Sequence, residues 1–257
     1  MNPSRVLVIA HNVFREVIRD RALYLLGVFA VLLLLANRAL PDIATVTSEK
    51  MLLDVGLGAM ALIGLVVTVF VGTGLINREI EKRTVIVLLS KPVSRLELIL
   101  GKHLGLVAVM TVLVTAMTLF YMGLLWVEKI PFPAGAIAVS SLFLVLELSL
   151  LTAVAILFGV STSSLLATLL TLAVYMVGHL SQDLVKMVQL TQSEELQRLS
   201  KGLYLVLPDL SRLTLRNEAI YNALPAAGEL AIHASYGLLY TVMVLAAAIL
   251  IFTSREF

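Results

Sequence analysis

The sequence predicts an all-α integral membrane protein with six transmembrane helices. Hydrophobic residues make up 60% of its 257 positions and charged residues only 14%, whereas about a quarter of the residues of a soluble domain are charged. The apolar residues form long runs that do not alternate with polar ones, so the spanning parts must be helices rather than strands of a closed barrel. We therefore expect one transmembrane domain over residues 1–257.

An amphipathic helix is predicted ahead of the first span, over residues 3–21. Its apolar residues recur at helical spacing and form one stripe, which consists of Val6, Ile9, Ala10, Val13, Phe14 and Val17. Arginines lie mainly elsewhere on the helix. Such a helix lies along the membrane surface with its arginines near anionic headgroups, so membrane lipid is an expected partner. An ordinary basic flank that happens to be helical is the simpler alternative.

Six apolar segments then reach the ~20 residues that a helix needs to cross ~30 Å of hydrocarbon. They cover residues 22–40, 55–76, 103–127, 137–160, 165–182 and 234–253. The small residues Gly101 and Gly105 begin the third, and Gly72 and Gly74 end the second. Glycines at this spacing permit close approach of helix backbones, although ordinary flexibility at helix ends explains them equally well.

The positions of basic residues predict the orientation, because short translocated loops are depleted of lysine and arginine. The densest basic cluster lies between spans two and three and consists of Arg78, Lys82, Arg83, Lys91, Arg95 and Lys102. This loop and both termini are therefore expected in the cytoplasm of a bacterium, with the spans in its plasma (inner) membrane. A formal net charge of +2 gives no indication of a nucleic-acid partner.

The loop between spans two and three, residues 77–102, reads NREIEKRTVIVLLSKPVSRLELILGK. Charged residues dominate positions 78–83, apolar residues fill positions 85–89, and Lys91 and Pro92 then break the run. This pattern predicts a helix that leaves the membrane, a short amphipathic piece parallel to its surface, and a turn back. Periodicity alone fits a solvated connector, whose basic residues only fix the topology, about as well.

Residues 183–233, between spans five and six, lie outside the cell in this topology despite their basic residues, because long loops cross the membrane largely regardless of charge. Ser193 is placed to cap a helix that Pro208 ends, and residues 217–224 form a second candidate helix ahead of Pro225. We expect a small helical extracytoplasmic cap.

Three segments resemble the type-2 ABC exporter permeases, particularly the branch associated with maturation of multicopper enzymes such as nitrous oxide reductase. They are NVFREVIRDRALY (residues 12–24), FVGTGLINREIEKRTVIVLLSKPVSRLELILGKHLG (residues 70–105) and LPDLSRLTLRNEAIY (residues 207–221). The resemblance implies an N-terminal elbow helix, six spans, and a first cytoplasmic loop that forms a coupling helix docked on a separate ATPase.

The resemblance also implies a second permease copy and two ABC ATPase subunits that carry ATP and Mg, with no cofactor bound by this chain. The residues that it assigns to contact with the ATPase, or to support of that surface, are Arg78, Glu79, Glu81, Lys82, Arg83, Thr84, Lys91, Pro92 and Arg95. The phosphate-binding pattern Gly-x-x-x-x-Gly-Lys-Ser/Thr is missing, since the only Gly-Lys pair, at positions 101 and 102, is followed by His103. The chain is therefore expected to be a transport subunit and not itself an enzyme.

Glu147 lies in the middle of span four. A charged side chain there costs roughly 2.5–3.5 kcal/mol on insertion scales, so it is expected to face the bundle interior. One interpretation places it on the translocation path or gives it a role in proton coupling. The other is a packing carboxyl that is protonated or hydrogen-bonded near Ser149 and Thr152.

Two pairs at i, i+4 spacing, His179 with Asp183 and Glu229 with His233, are weak candidates for metal ligands. Cysteine is absent, so thiolate metal sites and disulfides are excluded. We expect interfacial anchoring residues and no metal.

Two other classes of protein remain open. Glu147 favours an ion-coupled secondary transporter or channel, whereas the coupling-like loop argues against one. An intramembrane serine hydrolase is a weaker alternative, because positions 161–164 fall at the cytoplasmic side while His179 and His233 fall about 20 Å away at the other.

Overall fold

The long apolar runs of the sequence form long α-helices in the computed structural model, which describes residues 2–19, 23–43, 48–81, 94–189 and 207–254. Within these ranges the all-α prediction is confirmed, and no strand is present. The helices are α1 (Pro3–Val17), α2 (Leu23–Ile43), α3 (Ser48–Glu81), α4 (Arg95–Val127), α5 (Ala134–Ser161), α6 (Ser164–Gln189), α7 (Arg216–Ile220) and α8 (Ala227–Ser254), with a 3-10 turn, Leu210–Arg212, ahead of α7.

Among these helices, α3, α4, α5 and α8 are each long and apolar enough to cross a membrane. The apolar stretches of α2 and α6 are shorter, Tyr24–Leu40 and Ser164–Leu180. All six overlap the segments that hydropathy predicts. The chain is a multi-pass membrane protein, and the count of six spans stays a prediction.

Several helices extend beyond the apolar segments that predicted them. α3 continues to Glu81, and α4 begins at Arg95, eight residues ahead of the predicted start of the third span. Hydropathy detects the part of a helix that lies in hydrocarbon, whereas the helix itself continues until a cap or turn ends it. α1 covers Pro3–Val17 of the helix predicted over residues 3–21, residues 18 and 19 continue it as a π-helical turn, and residues 20 and 21 lie outside the described residues.

The fifth helix, α5, lies at the centre of the bundle and packs against α3, α4, α6 and α8. Small residues bring its backbone close to that of α3. A Cβ on Gly72 would lie 3.0 Å from the Cβ of Ala155, and a Cβ on Gly159 would lie 3.0 Å from the Thr73 carbonyl oxygen. The close packing predicted for Gly72 therefore occurs, with α5 as the partner.

The amphipathic helix α1 packs along the first turns of α4. A Cβ on Gly101 would lie 2.7 Å from the Cβ of Ile9, and a Cβ on Gly105 would lie 2.7 Å from the Ala10 carbonyl oxygen. Gly101 and Gly105 thus permit close approach of two helix backbones, as predicted, and the helix that packs against them is α1.

Residues 207–226, here called the inserted segment, enter the bundle between helices. Leu210, Leu213 and Leu215 are buried, although polar residues separate them in the sequence. Leu210 lies against Gly178 of α6, and Leu213 lies against Gly237 of α8. This part of the predicted cap therefore packs inside the helical bundle rather than on top of it. The helix predicted after Ser193 falls in residues 190–206, outside the described residues.

Candidate functional site

Two groups of polar residues stand out against the apolar bundle, one at each end. We call the end that carries the start of α4 and the last turn of α8 the loop end, because it flanks residues 82–93. The opposite end carries residues 128–133 and the place where the inserted segment enters the bundle, and we call it the far end.

At the loop end, Ser94 begins α4 with a capping box. The Ser94 hydroxyl accepts a hydrogen bond from the Glu97 backbone N–H at 3.1 Å, and the Ser94 backbone N–H donates to Glu97 Oε2 at 3.0 Å. The other oxygen, Oε1, accepts from the Asn2 backbone N–H at 2.6 Å. Because these bonds satisfy N–H groups that a helix start otherwise leaves unpaired, Glu97 joins the beginning of α4 to the beginning of α1.

Two cations in the first turns of α4 contact other helices. The Arg95 guanidinium donates to the backbone carbonyls of Phe252 and Thr253, the latter at 3.1 Å, and lies 5.5 Å from the centre of the Phe252 ring. The Lys102 ammonium, which is buried, donates to the Leu75 carbonyl of α3. A cation at a helix C-terminus interacts favourably with its carbonyl dipoles. The start of α4 is therefore bonded to α1, α3 and α8 together.

The structure describes only some of the predicted coupling residues. Arg95 is the first residue of α4, where it contacts the end of α8. Arg78, Glu79 and Glu81 lie in the last turns of α3, and their side chains are outside the described residues. Lys82, Arg83, Thr84, Lys91 and Pro92 are outside them altogether.

Towards the far end, Glu147 faces the bundle interior as predicted, and 3% of it is exposed. Its partners come from other elements than the expected Ser149 and Thr152. The Thr214 hydroxyl donates to Glu147 Oε2 at 3.0 Å, and His179 Nε2 lies 3.3 Å from Oε1. The expected neighbours are engaged elsewhere, since the Ser149 carbonyl oxygen lies 3.1 Å from Nε2 of His103 and the Thr152 hydroxyl donates to a carbonyl of its own helix.

A small cavity lies beside Glu147. It has a volume of about 120 Å³, which is enough for several water molecules. Its polar lining consists of Ser140, Ser141, Glu147, Tyr175, His179, Thr214 and Arg216. Leucines of α3, α5 and the inserted segment complete the wall.

Arg216 lies near the mouth of this cavity. Its Nε donates to Asp54 Oδ1 of α3 at 2.7 Å, and both side chains are partly exposed. A Cβ on Gly58 would lie 2.6 Å from the Arg216 guanidinium, so that glycine leaves room for the arginine. The inserted segment is thus held to α3 by Arg216 and to α5 by Thr214.

The i, i+4 pairs do not assemble into a metal site in the part of the chain that the structure describes, where no group of three or more histidine, cysteine, aspartate or glutamate residues is placed to hold an ion. His179 faces Glu147 and Thr214. Glu229 is exposed, and the side chain of Asp183 is outside the described residues.

Sequence reasoning missed Thr214, Arg216 and Asp54. Thr214 and Glu147 are 67 positions apart in the sequence, and Arg216 and Asp54 are 162 positions apart. No rule of sequence spacing predicts either contact. Lys102 and His103 did carry a signal, since a polar pair at the start of an apolar span must find buried partners.

Residues 7–257 match the family model described as ABC-2 family transporter protein. No curated protein matches the chain.

Proposed function

Because the chain belongs to the ABC-2 family of transporters, we propose that it is the transmembrane permease subunit of an ABC exporter whose ATPase is a separate polypeptide. The match over nearly the whole chain is the observation that carries this proposal. The missing phosphate-binding pattern supports it, because a transporter of this class without its own nucleotide site needs a partner that hydrolyses ATP.

The proposed complex contains two ATPase subunits, which bind ATP and Mg, and a second permease copy. The chain itself binds no cofactor in this arrangement. The positions of lysine and arginine favour a bacterial plasma membrane with the loop end and both termini in the cytoplasm. The three resembling segments favour the branch that serves maturation of multicopper enzymes.

The proposed mechanism begins at the loop of residues 77–102. Closure of the ATPase pair displaces this loop, and the displacement reaches the start of α4. Because that start is bonded to α1 through Glu97, to α3 through Lys102 and to α8 through Arg95, a shift of α4 moves several helices together. A ligand shifts an equilibrium only by contacting two states differently, so the mechanism requires that the contacts of this junction change when the ATPase pair closes. A path between the two permeases then opens at the far end.

The experiment is copurification of the tagged chain with an ABC ATPase encoded beside its gene. We expect the ATPase to be recovered with the wild-type chain. The variants Glu81→Lys and Arg83→Glu should each lower recovery at least about tenfold, because disrupting one charge in a buried interfacial pair costs about 2 kcal/mol or more.

Glu229→Lys and Lys129→Glu are the matched controls, since both positions are exposed at the far end and should leave recovery unchanged. Recovery that is unaffected by both loop variants would overturn the placement of the ATPase on this loop. A chain that transports without any ATPase would instead favour the ion-coupled alternative, which the buried Glu147 supports.

A further inference from the structure

The positions of hydrogens around His179 follow from its neighbours. Nδ1 lies 3.1 Å from the Tyr175 carbonyl oxygen, and a carbonyl oxygen only accepts, so Nδ1 carries a hydrogen. In a neutral imidazole the other nitrogen, Nε2, is then an acceptor. Nε2 faces Glu147 Oε1 at 3.3 Å and the Thr214 hydroxyl at 3.0 Å.

The Thr214 hydroxyl has one hydrogen to donate. It lies between Glu147 Oε2 and His179 Nε2, 3.0 Å from each, and the Leu210 carbonyl oxygen is a more distant acceptor at 3.3 Å. If Glu147 were ionised and His179 neutral, two lone pairs would face each other across 3.3 Å and one hydroxyl hydrogen would have to serve both acceptors. One additional proton, on either Nε2 or Oε1, removes this conflict and satisfies all three side chains.

Among the described residues, the two arginines of the inserted segment each pair with an aspartate and not with Glu147. Arg212 pairs with Asp209 at 3.0 Å, and Arg216 pairs with Asp54 at 2.7 Å. A buried carboxylate needs a partner charge or a proton. The titratable and charged groups of the described residues on the elements packed around the pair include Asp54 of α3, His103 of α4, Tyr175 of α6, His233, Tyr236 and Tyr240 of α8, and Asp209, Arg212 and Arg216 of the inserted segment.

We propose that Glu147 and His179 together bind one proton, and that this proton holds the inserted segment in its closed position through Thr214. With the proton bound, the Thr214 hydroxyl is free to donate to Glu147 Oε2, which fastens the segment to α5. Release of the proton sets the lone pairs of Nε2 and Oε1 against each other, and the single Thr214 hydrogen then leaves one of the two buried acceptors unsatisfied, which destabilises the closed position. The cavity of about 120 Å³ beside the pair has room for the water that exchanges the proton.

The test uses the absence of cysteine from the sequence. A reporter thiol is introduced by Leu213→Cys, at a side chain that is fully buried in the inserted segment. A reference thiol is introduced by Ala226→Cys, at an exposed position of the same segment. The purified chain in lipid nanodiscs is labelled with a maleimide from pH 5 to 9, and the ratio of the two rates removes the pH dependence of the thiol itself.

We expect the ratio of reporter to reference rates to rise by roughly tenfold or more with pH, the effect of leaving one buried acceptor without a hydrogen bond. Glu147→Gln should keep the ratio low at every pH, because its amide donates to His179 Nε2 and accepts from Thr214 without titrating. Glu147→Ala should keep it high at every pH. Thr214→Val should also abolish the pH dependence.

Full pH dependence in the Glu147→Gln variant would overturn the proposal, as would a wild-type ratio that stays flat from pH 5 to 9. If Leu213→Cys prevents folding, Leu215→Cys supplies a second buried reporter. The consequence for transport rests on the proposed function, but labelling requires neither an ATPase nor a transported substrate. Failure of the proton site is therefore distinguishable from failure of the permease assignment.

Discussion

The contact between α1 and α4 depends on a glycine, and Gly105→Ala is the sharpest test of it. A Cβ there would lie 2.7 Å from both the Ala10 carbonyl oxygen and the Val13 Cβ. Nonbonded carbon atoms prefer about 3.5–4.0 Å, so α1 must move by roughly 1 Å. Such overpacking costs about 1–3 kcal/mol.

Alanine also favours a helix over glycine by about 1 kcal/mol, so a control must remove this gain. Gly123→Ala on the same helix does so, because a Cβ there meets nothing within 4 Å. The difference between the two variants then reports the clash alone, about 1–3 kcal/mol.

Detachment of α1 is measured by labelling a thiol introduced by Val6→Cys, at a buried position of that helix. Because 1.4 kcal/mol corresponds to a factor of ten, labelling should be roughly 5- to 150-fold faster with Gly105→Ala than with Gly123→Ala. Equal rates in the two backgrounds would show that the packing of α1 does not depend on a glycine at position 105.

Two further predictions concern single contacts. Arg95→Ala should loosen the end of α8, because a cation at a helix C-terminus contributes about 0.3–1 kcal/mol. Proteolysis after Thr253 should then be faster, and Arg95→Lys should give an intermediate rate. An unchanged rate of cleavage would contradict the contact. Tyr121→Phe removes a buried hydrogen bond of 3.1 Å to the Leu53 carbonyl and should lower the free energy of unfolding by about 1 kcal/mol, which is measured as a lower Tm in detergent. Tyr221→Phe, at an exposed position, should leave the Tm unchanged. Equal Tm values for the two variants would contradict a stabilising role of the Tyr121 hydrogen bond.

The course of the membrane helices could be predicted from the sequence, because hydrocarbon sets their length and apolar character. Their ends could not, since caps outside the membrane decide them. The start of α4 is an instructive case. Ser94 and Glu97 stand in capping-box spacing, a signal that hydropathy ignores, and recognising it would have placed the helix start correctly.

The inserted segment could not be predicted for a different reason. The residues from Leu210 to Ile220 are too few and too polar to register as a span. They enter the bundle because Gly178 and Gly237 leave space for Leu210 and Leu213, which only the folded structure brings together. The inward direction of Glu147 followed from the cost of a charge in the membrane, whereas its partners His179 and Thr214 depended on that tertiary arrangement.

The main claim of the proposed mechanism is that closure of the ATPase pair at the loop end opens a path at the far end. It is tested by measuring labelling of the Leu213→Cys reporter in the copurified complex, with the Ala226→Cys reference, in the presence and absence of ATP and Mg. ATP should raise the labelling rate of the reporter relative to the reference. With an ATPase variant unable to hydrolyse ATP, the complex should not alternate between the state labelled at this higher rate and the state labelled at the rate without ATP. Identical reporter rates with and without ATP in a complex that hydrolyses it would contradict the claim.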